Sequence, residues 1–151
     1  MNILGYDLLG NQVCEGIRYA WKISNGSRYV ESAAFINKTK GVESEVCGYT
    51  TSVSAGCLLR AQGIPCTFCA TGNELPFSRL LTSKEIALQN VFMVLTDMEC
   101  DDHPELRTKK REFAYMGQGE PGLSYQQVRE AIEITNSAMK QLGQEVYRHV
   151  F

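Results

Sequence analysis

The order of apolar and polar positions divides the chain into a hairpin and a later series of strands and helices. Apolar and polar residues alternate over 17–23, Asn25-Gly26 follows, and 29–36 is rich in strand-forming residues. Asn-Gly tolerates the positive φ angles of a tight type I′ turn, so this pattern predicts a β-hairpin. The polar residues 37–46 are predicted to form a loop.

Beyond this loop, strand and helix patterns alternate. Short strands are predicted over 49–54, 112–116 and 145–151. Helices are predicted to begin at Thr82 and Ser124, each with the Ser/Thr-x-x-Glu/Gln pattern of a capping box. The first helix places one apolar stripe at Leu88, Val91, Phe92 and Leu95. The stripe of the second is Val128, Ala131, Ile132, Thr135, Met139 and Leu142, and Gly143 is its predicted stop.

Strands separated by helices in this way are βα units of a parallel sheet or barrel. The predicted fold class is therefore α/β, with an N-terminal β-hairpin region over 1–48 and a partial (β/α) barrel over 49–151. About two and a half βα units are too few to close a barrel of this kind. Functional loops are expected at the carboxyl ends of the strands.

Composition narrows the class of protein. The chain has 151 residues, 44% of them hydrophobic, and a formal net charge of −2. These values favour a globular domain over a disordered chain and give no general attraction to nucleic acid. The N-terminus lacks a signal-peptide pattern and no run approaches the ~18 apolar residues of a membrane span, so a cytoplasmic location and no membrane partner are expected.

The six cysteines are the residues that bear most directly on function, because cysteines in a reducing compartment favour metal or redox roles over disulfides. Cys57, Cys66 and Cys69 form a C-x8-C-x2-C group in a long predicted loop over 57–81. Three thiolates can hold three irons of a [4Fe–4S] cluster and leave the fourth iron open for a substrate.

Spacing alone leaves other interpretations of the three cysteines open. They could belong to a structural zinc site or be simply buried thiols. A zinc site would need one more ligand, for which the candidates are Cys47, Cys100 and His103. No role is predicted for Cys14, and none for Cys100 outside a zinc site.

A second unusual loop, Gly-Gln-Gly-Glu-Pro-Gly over 117–122, follows the predicted strand at 112–116. Taken alone it also fits an ordinary strand-to-helix turn, which favours glycine and proline.

The two loops together resemble a known family. The segments are Ser-Ala-Gly-Cys at 54–57, Cys-Thr-Phe-Cys-Ala-Thr-Gly at 66–72, Leu-Leu-Thr-Ser-Lys-Glu-Ile at 80–86 and Tyr-Met-Gly-Gln-Gly-Glu-Pro at 115–121. They resemble radical S-adenosylmethionine (SAM) enzymes, most closely the branch that methylates an adenine of ribosomal and transfer RNA at carbon 2 or 8. Arg-Tyr-Val-Glu-Ser at 28–32 is similar to that family's hairpin, and Cys47 to a cysteine upstream of its cluster.

The resemblance implies roles for particular residues. Cys57, Cys66 and Cys69 would ligate a [4Fe–4S] cluster whose open iron chelates the amino and carboxylate groups of SAM. Phe68 would form a flat apolar wall near the cluster or the adenine of SAM. The methionyl ammonium would be met by Gly119, Glu120 and Pro121.

The resemblance also implies a catalytic residue and partners. Glu31 matches the position that accepts the proton released when the methylated adenine rearomatises. The implied partners are ribosomal or transfer RNA and a reducing electron-transfer protein. The basic runs at 107–111 and 148–149 could contact RNA phosphates, although such runs are usually solvated loops.

Two departures from the family bear on the substrate. The family spacing is C-x3-C-x2-C, whereas eight residues, 58–65, separate the first two cysteines here. The family's late methyl-carrying cysteine has no counterpart among the 151 residues. The expected function is SAM cleavage for RNA adenine methylation; the alternatives are a radical SAM enzyme acting on a peptide or small molecule and a zinc-stabilised binding module without catalysis.

Overall fold

The N-terminal region contains an antiparallel hairpin. The computed structural model describes residues 16–25, 28–37, 46–69, 76–99 and 104–151. Strand β1, Gly16–Asn25, pairs with β2, Arg28–Asn37, in a register that sets Gly16 opposite Asn37 and Asn25 opposite Arg28. The predicted hairpin is confirmed, while the predicted type I′ turn at Asn25-Gly26 lies partly outside the described residues.

A parallel three-stranded sheet forms the centre of the fold. Its order is β3 (Val46–Thr50), β6 (Lys110–Ala114) and β7 (Val146–Val150). Helix α2, Ser83–Glu99, connects β3 to β6, and α3, Tyr125–Gln141, connects β6 to β7. The predicted βα units are confirmed, and the described residues form no closed barrel.

Smaller elements lie in the connections. Two 3-10 turns, Pro104–Thr108 and Pro121–Ser124, precede β6 and α3. A short helix α1 covers Leu58–Ala61, and the two-residue strands β4 and β5 pair antiparallel. Their bounds are Ser54–Ala55 for β4 and Arg79–Leu80 for β5. The loop with the three cysteines therefore leaves and returns through one short ladder.

The first strand of the sheet begins earlier than predicted. The sequence predicted a loop over 37–46 and a strand over 49–54, whereas β3 begins at Val46 and ends at Thr50. Cys47 and Tyr49 are buried in alternation with half-buried neighbours, which is the period of a strand. The Thr51 amide still donates to the Ala114 carbonyl of β6, and beyond it the backbone leaves the sheet and bonds to another loop, as described below. The division into 1–48 and 49–151 stays a prediction.

The core lies between the parallel sheet and the two long helices. On α3 the predicted stripe is confirmed, since Val128, Ala131, Thr135 and Met139 are buried and Ile132 and Leu142 pack against the core. The predicted end of α3 is confirmed as well. Gly143 has φ +67°, and the amides of Gly143 and Gln144 donate to the carbonyls of Lys140 and Met139, as in a Schellman motif.

The predicted apolar face of α2 needs correction. Leu88 and Leu95 remain 48% and 37% exposed, and Val91 and Phe92 are half-buried. The buried side consists of Ile86, Ala87, Gln89, Asn90, Met93, Val94 and Asp97. Three of these residues are polar, and each has a hydrogen-bond partner in the core. The predicted stripe is therefore half confirmed: Val91 and Phe92 pack against the core, whereas Leu88 and Leu95 do not, and polar residues complete the buried side.

The two predicted capping boxes have different outcomes. At α2 the box is confirmed: the Thr82 amide donates to Glu85 Oε2 at 2.9 Å, and the Glu85 amide donates to Thr82 Oγ1 at 3.3 Å. At α3, Ser124 is the N-cap residue but makes no capping hydrogen bond, and its buried hydroxyl has no partner. The capping hydrogen bond is found instead at the 3-10 turn before α3, where the Glu120 side chain accepts from the Gly122 amide.

Candidate functional site

The loops that follow β3 and β6 are joined by backbone hydrogen bonds. The amides of Val53 and Ser54 donate to the carbonyl of Gln118 at 2.9 and 3.2 Å, and the Gly117 amide donates to the Thr51 carbonyl at 3.0 Å. We call 51–57 the cysteine-loop base and 117–122 the glycine loop. Because both follow the carboxyl ends of adjacent parallel strands, the fold brings the two sequence motifs together, as the βα pattern predicted.

Glycine is required where the two loops touch. A Cβ at Gly119, which has φ +89°, would overlap the Ser54 hydroxyl, and one at Gly117 would lie 2.7 Å from Ser52 Oγ. The resemblance to radical SAM enzymes implied that Gly119 contacts the methionyl ammonium. The structure adds a different reason, namely the close packing of the glycine loop on the cysteine-loop base.

The three cysteines differ in their surroundings. Cys57 is 8% exposed and directly precedes α1, whereas Cys66 and Cys69 are half-buried in a turn closed by the Cys69 amide and the Cys66 carbonyl at 3.1 Å. The extra residues between Cys57 and Cys66 include α1 and a turn in which the Ile64 amide donates to the Leu59 carbonyl at 2.9 Å. The insertion is thus one compact helical turn.

The candidate metal donors are the thiols of Cys57, Cys66 and Cys69. Within the described ranges, no three His, Cys, Asp or Glu side chains are grouped as ligands of a metal ion. The chemistry of the donors nevertheless fits an iron–sulfur cluster, since three thiols lie on one loop and two of them sit in a partly exposed turn. Metal binding commonly supplies the free energy that closes such a site.

Cys47 lies away from the cysteine loop. It is fully buried in β3, and its thiol donates to Asp97 Oδ2 of α2 at 3.8 Å. Burial, reinforced by the charge of Asp97, raises the pKa of Cys47 to about 12. The structure therefore does not place Cys47 with the triad as a zinc ligand. The other zinc candidates, Cys100 and His103, lie outside the described residues, as does Cys14.

The residues predicted to contact SAM lie around the glycine loop and the cysteine turn. Phe68 is 91% exposed. Glu120 is half-buried and its Oε1 accepts from the Gly122 amide at 3.1 Å, while Pro121 opens the 3-10 turn. Gly119 lies where the glycine loop packs against Ser54 of the cysteine-loop base. Gly119, Glu120 and Pro121 thus lie in the loop that bonds to the cysteine-loop base, and the SAM contacts of all four residues stay a prediction.

Glu31, the predicted proton acceptor, lies in β2 opposite Lys22 of β1. Strand β2 runs beside β3 and β4, the two strands that precede Cys57 in the chain. The side chain of Glu31 lies outside what the structure describes.

The basic runs do not form the suggested phosphate-binding surface as a whole. Arg111 is fully buried and bonds to Asp97 Oδ2 at 3.2 Å, because its β6 position points toward α2. Arg148 donates to Glu112 Oε2 at 2.5 Å, and Lys110 pairs with Glu145 at 3.3 Å. Most of the described cations in these runs thus have acidic partners within the chain.

Sequence reasoning missed two buried polar networks. In the first, Arg111 bonds to Asp97, to Tyr49 Oη at 2.6 Å and to Gln144 Oε1 at 2.7 Å. Tyr49 also donates to Asp97. The sequence offered one signal for this network, namely polar residues that alternate with apolar ones in the strands and the helix.

The second network lies under the cysteine-loop base. Thr51 Oγ1 donates to Asn90 Oδ1 at 2.5 Å, and Asn90 Nδ2 donates to Tyr115 Oη at 3.3 Å and to Thr135 Oγ1 at 3.1 Å. Tyr115 Oη in turn lies 2.9 Å from His149 Nδ1. This network fixes the residue at which the chain leaves β3 for the cysteine loop.

Fold and site define an α/β protein in which a thiol-bearing loop and a glycine loop meet at one edge of a parallel sheet. Over 128 residues the chain is 33% identical to a protein named probable dual-specificity RNA methyltransferase RlmN, from Heliobacterium modesticaldum (strain ATCC 51547 / Ice1). The match covers 84% of this chain and 30% of that protein, so the chain spans less than a third of its relative's length.

No protein-family profile and no solved structure matches the chain. None of the helices in the described ranges is both long and apolar enough to cross a membrane.

Proposed function

We propose that this chain forms the cluster-binding and SAM-binding part of a radical SAM enzyme that methylates an adenine of RNA. The observation that carries the proposal is the hydrogen-bonded contact between the cysteine-loop base and the glycine loop. This contact joins the backbone that leads into Cys57 to the loop that carries Gly119, Glu120 and Pro121. The similarity to a protein named as an RNA methyltransferase supports the same assignment.

In this proposal the cysteine loop holds the cluster. Cys57, Cys66 and Cys69 supply three thiolates, the ligands that iron–sulfur clusters require. A reduced cluster supplies, when bound, the single electron that cleaves a C–S bond of SAM. The exposed turn of Cys66 and Cys69 can close around the metal, whereas Cys57 is held at the buried base of the loop.

The glycine loop binds the methionyl end of SAM. Glu120 uses Oε1 to accept one backbone amide, and a carboxylate retains lone pairs for an ammonium group. Gly119 brings the loop close to Ser54, and Pro121 fixes the turn that follows. Phe68 offers an exposed aromatic face that can cover an apolar ligand surface.

Glu31 acts in this proposal as the base. The carboxylate of this residue, in the strand beside β3 and β4, would accept the proton that leaves the methylated adenine.

Cofactor binding is tested by spectroscopy. The chain, reconstituted anaerobically with iron and sulfide, should absorb near 400 nm, and addition of SAM should change the electron paramagnetic resonance spectrum of the reduced cluster. Glu120→Gln should weaken this SAM response by about tenfold in half-saturating concentration, because it removes the charge that meets the ammonium. Glu133→Gln, on the exposed side of α3, is the matched control and should respond like the unchanged chain. A colourless protein with one zinc per chain would contradict the proposal.

The substrate is tested by methyl transfer. Labelled SAM, a reductant and unmodified ribosomal or transfer RNA should yield methylated adenine, and Glu31→Gln should slow its release by about 100-fold. If a peptide or small molecule stimulated SAM cleavage and RNA did not, RNA would not be the substrate.

A further inference from the structure

We infer that Gln118 is a positioning residue for the cluster ligand Cys57 and acts through the backbone of Gly56. This inference rests on the proposed function, because it concerns how the cluster site is held. It assigns a role to the glutamine of the Gly-Gln-Gly-Glu-Pro run.

Gln118 bonds to the cysteine-loop base at three backbone groups. Its side-chain Oε1 accepts from the Gly56 amide at 3.1 Å. Its own carbonyl accepts from the amides of Val53 and Ser54 at 2.9 and 3.2 Å. One residue of the glycine loop therefore holds the chain from Val53 to the position directly before Cys57.

Gly56 is held from both sides. The Gly56 amide donates to Gln118 Oε1, and the Gly56 carbonyl accepts from Ser54 Oγ at 2.5 Å. Its φ is +74°, and a Cβ would overlap the carbonyl of Pro76, so only glycine fits. We call Gln118, Ser54 and Gly56 the Gly56 clamp. A left-handed backbone with both polar groups bonded has little freedom, so the clamp fixes the direction from which Cys57 leaves the loop.

The clamp distinguishes Cys57 from the other two cysteines. Cys57 is 8% exposed, and although it is the N-cap residue of α1 its side chain makes no capping bond. Cys66 and Cys69 flank two exposed residues, Thr67 and Phe68. Cys57 is thus the ligand preset by the fold, and the exposed turn supplies the two ligands that adjust. The glycine loop is physically coupled to the first cluster ligand through Gln118.

The clamp is tested first in the apoprotein, by the rate at which each thiol is alkylated with iodoacetamide and located by mass spectrometry. Gln118→Ala should raise the rate at Cys57 by about tenfold, the effect of losing one net hydrogen bond that opposes local opening. The rates at Cys66 and Cys69 should not change. Gln118→Glu keeps the acceptor and should return the Cys57 rate to within about twofold of the original. Gln126→Ala, on the exposed side of α3, is the matched control.

The second measurement uses the reconstituted protein. Iron release to a chelator, followed near 400 nm, should be about tenfold faster in Gln118→Ala and restored in Gln118→Glu. A role confined to folding would instead lower the thermal midpoint without changing the ratio of rates among the three thiols.

The outcomes separate this inference from the proposed function. Selective alkylation of Cys57 in Gln118→Ala, in a chain that takes up no cluster, would support the clamp and overturn the cluster. An unchanged Cys57 rate, or an equal increase at all three thiols, would overturn the clamp whether or not a cluster binds. If circular dichroism shows that Gln118→Ala is unfolded, Ser54→Ala removes the other half of the clamp and must produce the same selective increase for the inference to stand.

Discussion

Several polar side chains lie in the core of this protein, where they are fully shielded from water. Arg111 and Asp97 form an ion pair with no side-chain exposure, and Tyr49 bonds to both. Burial, with a further contribution from the Asp97 charge, raises the pKa of Tyr49 well above its usual value. Tyr49 is therefore a neutral donor to the carboxylate. A charge buried in this way is tolerated only while its partners remain, so the network makes each member sensitive to substitution.

Arg111→Met should reduce the free energy of unfolding by about 3–5 kcal/mol, because it leaves the carboxylate of Asp97 buried without its cation. The double variant Arg111→Met with Asp97→Leu should be more stable than Arg111→Met alone. Urea unfolding followed by circular dichroism measures these two variants and the single variant Asp97→Leu. A double variant that loses the sum of the two single losses would show that the two residues are not coupled.

His149 should make stability depend on pH. Burial lowers the pKa of His149 below its ordinary value of 6.5, and Nδ1 and Nε2 lie 2.9 Å from Tyr115 Oη and Asn136 Oδ1. The unfolded chain takes up a proton as the pH falls through 6.5 while the folded chain does not, so stability should decline below that pH until the folded pKa is passed. His149→Gln should flatten this decline in urea midpoints between about pH 7.5 and 5.5. If His103→Gln flattened it and His149→Gln did not, the assignment to His149 would be wrong.

At the level of the elements, α2 begins with a group of polar contacts to Glu85. The carboxylate of Glu85 bonds to Arg79 at 2.6 and 2.8 Å and to the amide and hydroxyl of Thr82. Arg79 lies in β5, at the end of the cysteine loop, so this one carboxylate both caps the helix and anchors the returning loop.

Glu85→Gln should lower the thermal midpoint near neutral pH by about 2–4 °C, a size typical of a lost helix cap. The hydrogen bond from Arg79, assisted by those from Thr82, lowers the pKa of Glu85 from 4.5 to about 2. The stabilisation is therefore fully present above about pH 4.5 and is lost as the pH falls toward 2. The difference between the two proteins should shrink over that range in scanning calorimetry. Glu133→Gln, which alters an exposed pair with Arg129, should change the midpoint less. A difference that stays constant down to pH 2 would contradict the assignment.

The elements also show what the sequence could and could not predict. Local periodicity and backbone preference were enough to predict the hairpin, the order of strands and helices, the apolar stripe of α3 and the glycine that ends it. These predictions are confirmed. The polar part of the buried face of α2 was missed because Gln89, Asn90 and Asp97 are buried through partners distant in sequence, which no local pattern reveals. The early start of β3 was missed for a similar reason, since pairing with β6 makes Val46 a strand residue.

The candidate site was predictable in part. Cysteine spacing and the Gly-Gln-Gly-Glu-Pro run indicated two functional loops, and the parallel sheet brings the bases of these loops together. Sequence could not reveal that Gln118 bonds to the Gly56 amide or that Cys47 faces Asp97, because both contacts depend on the packing of separate elements.

For the whole molecule, the central feature is a three-stranded parallel sheet with both motif loops at one edge. The described strands do not close a barrel, and the chain matches 30% of the length of its named relative. The proposed function therefore requires that this sheet edge hold a cluster by itself, with the three loop thiols as its ligands.

The most direct test is the iron and acid-labile sulfide content of the anaerobically reconstituted chain, compared with three loop variants and one core variant. The unchanged chain should contain about four irons and four sulfides. Cys57→Ala, Cys66→Ala and Cys69→Ala should each lose most of both, whereas Cys47→Ala should keep them because Cys47 is buried against Asp97. Zinc in place of iron, or iron content that is independent of the three loop cysteines, would contradict the account.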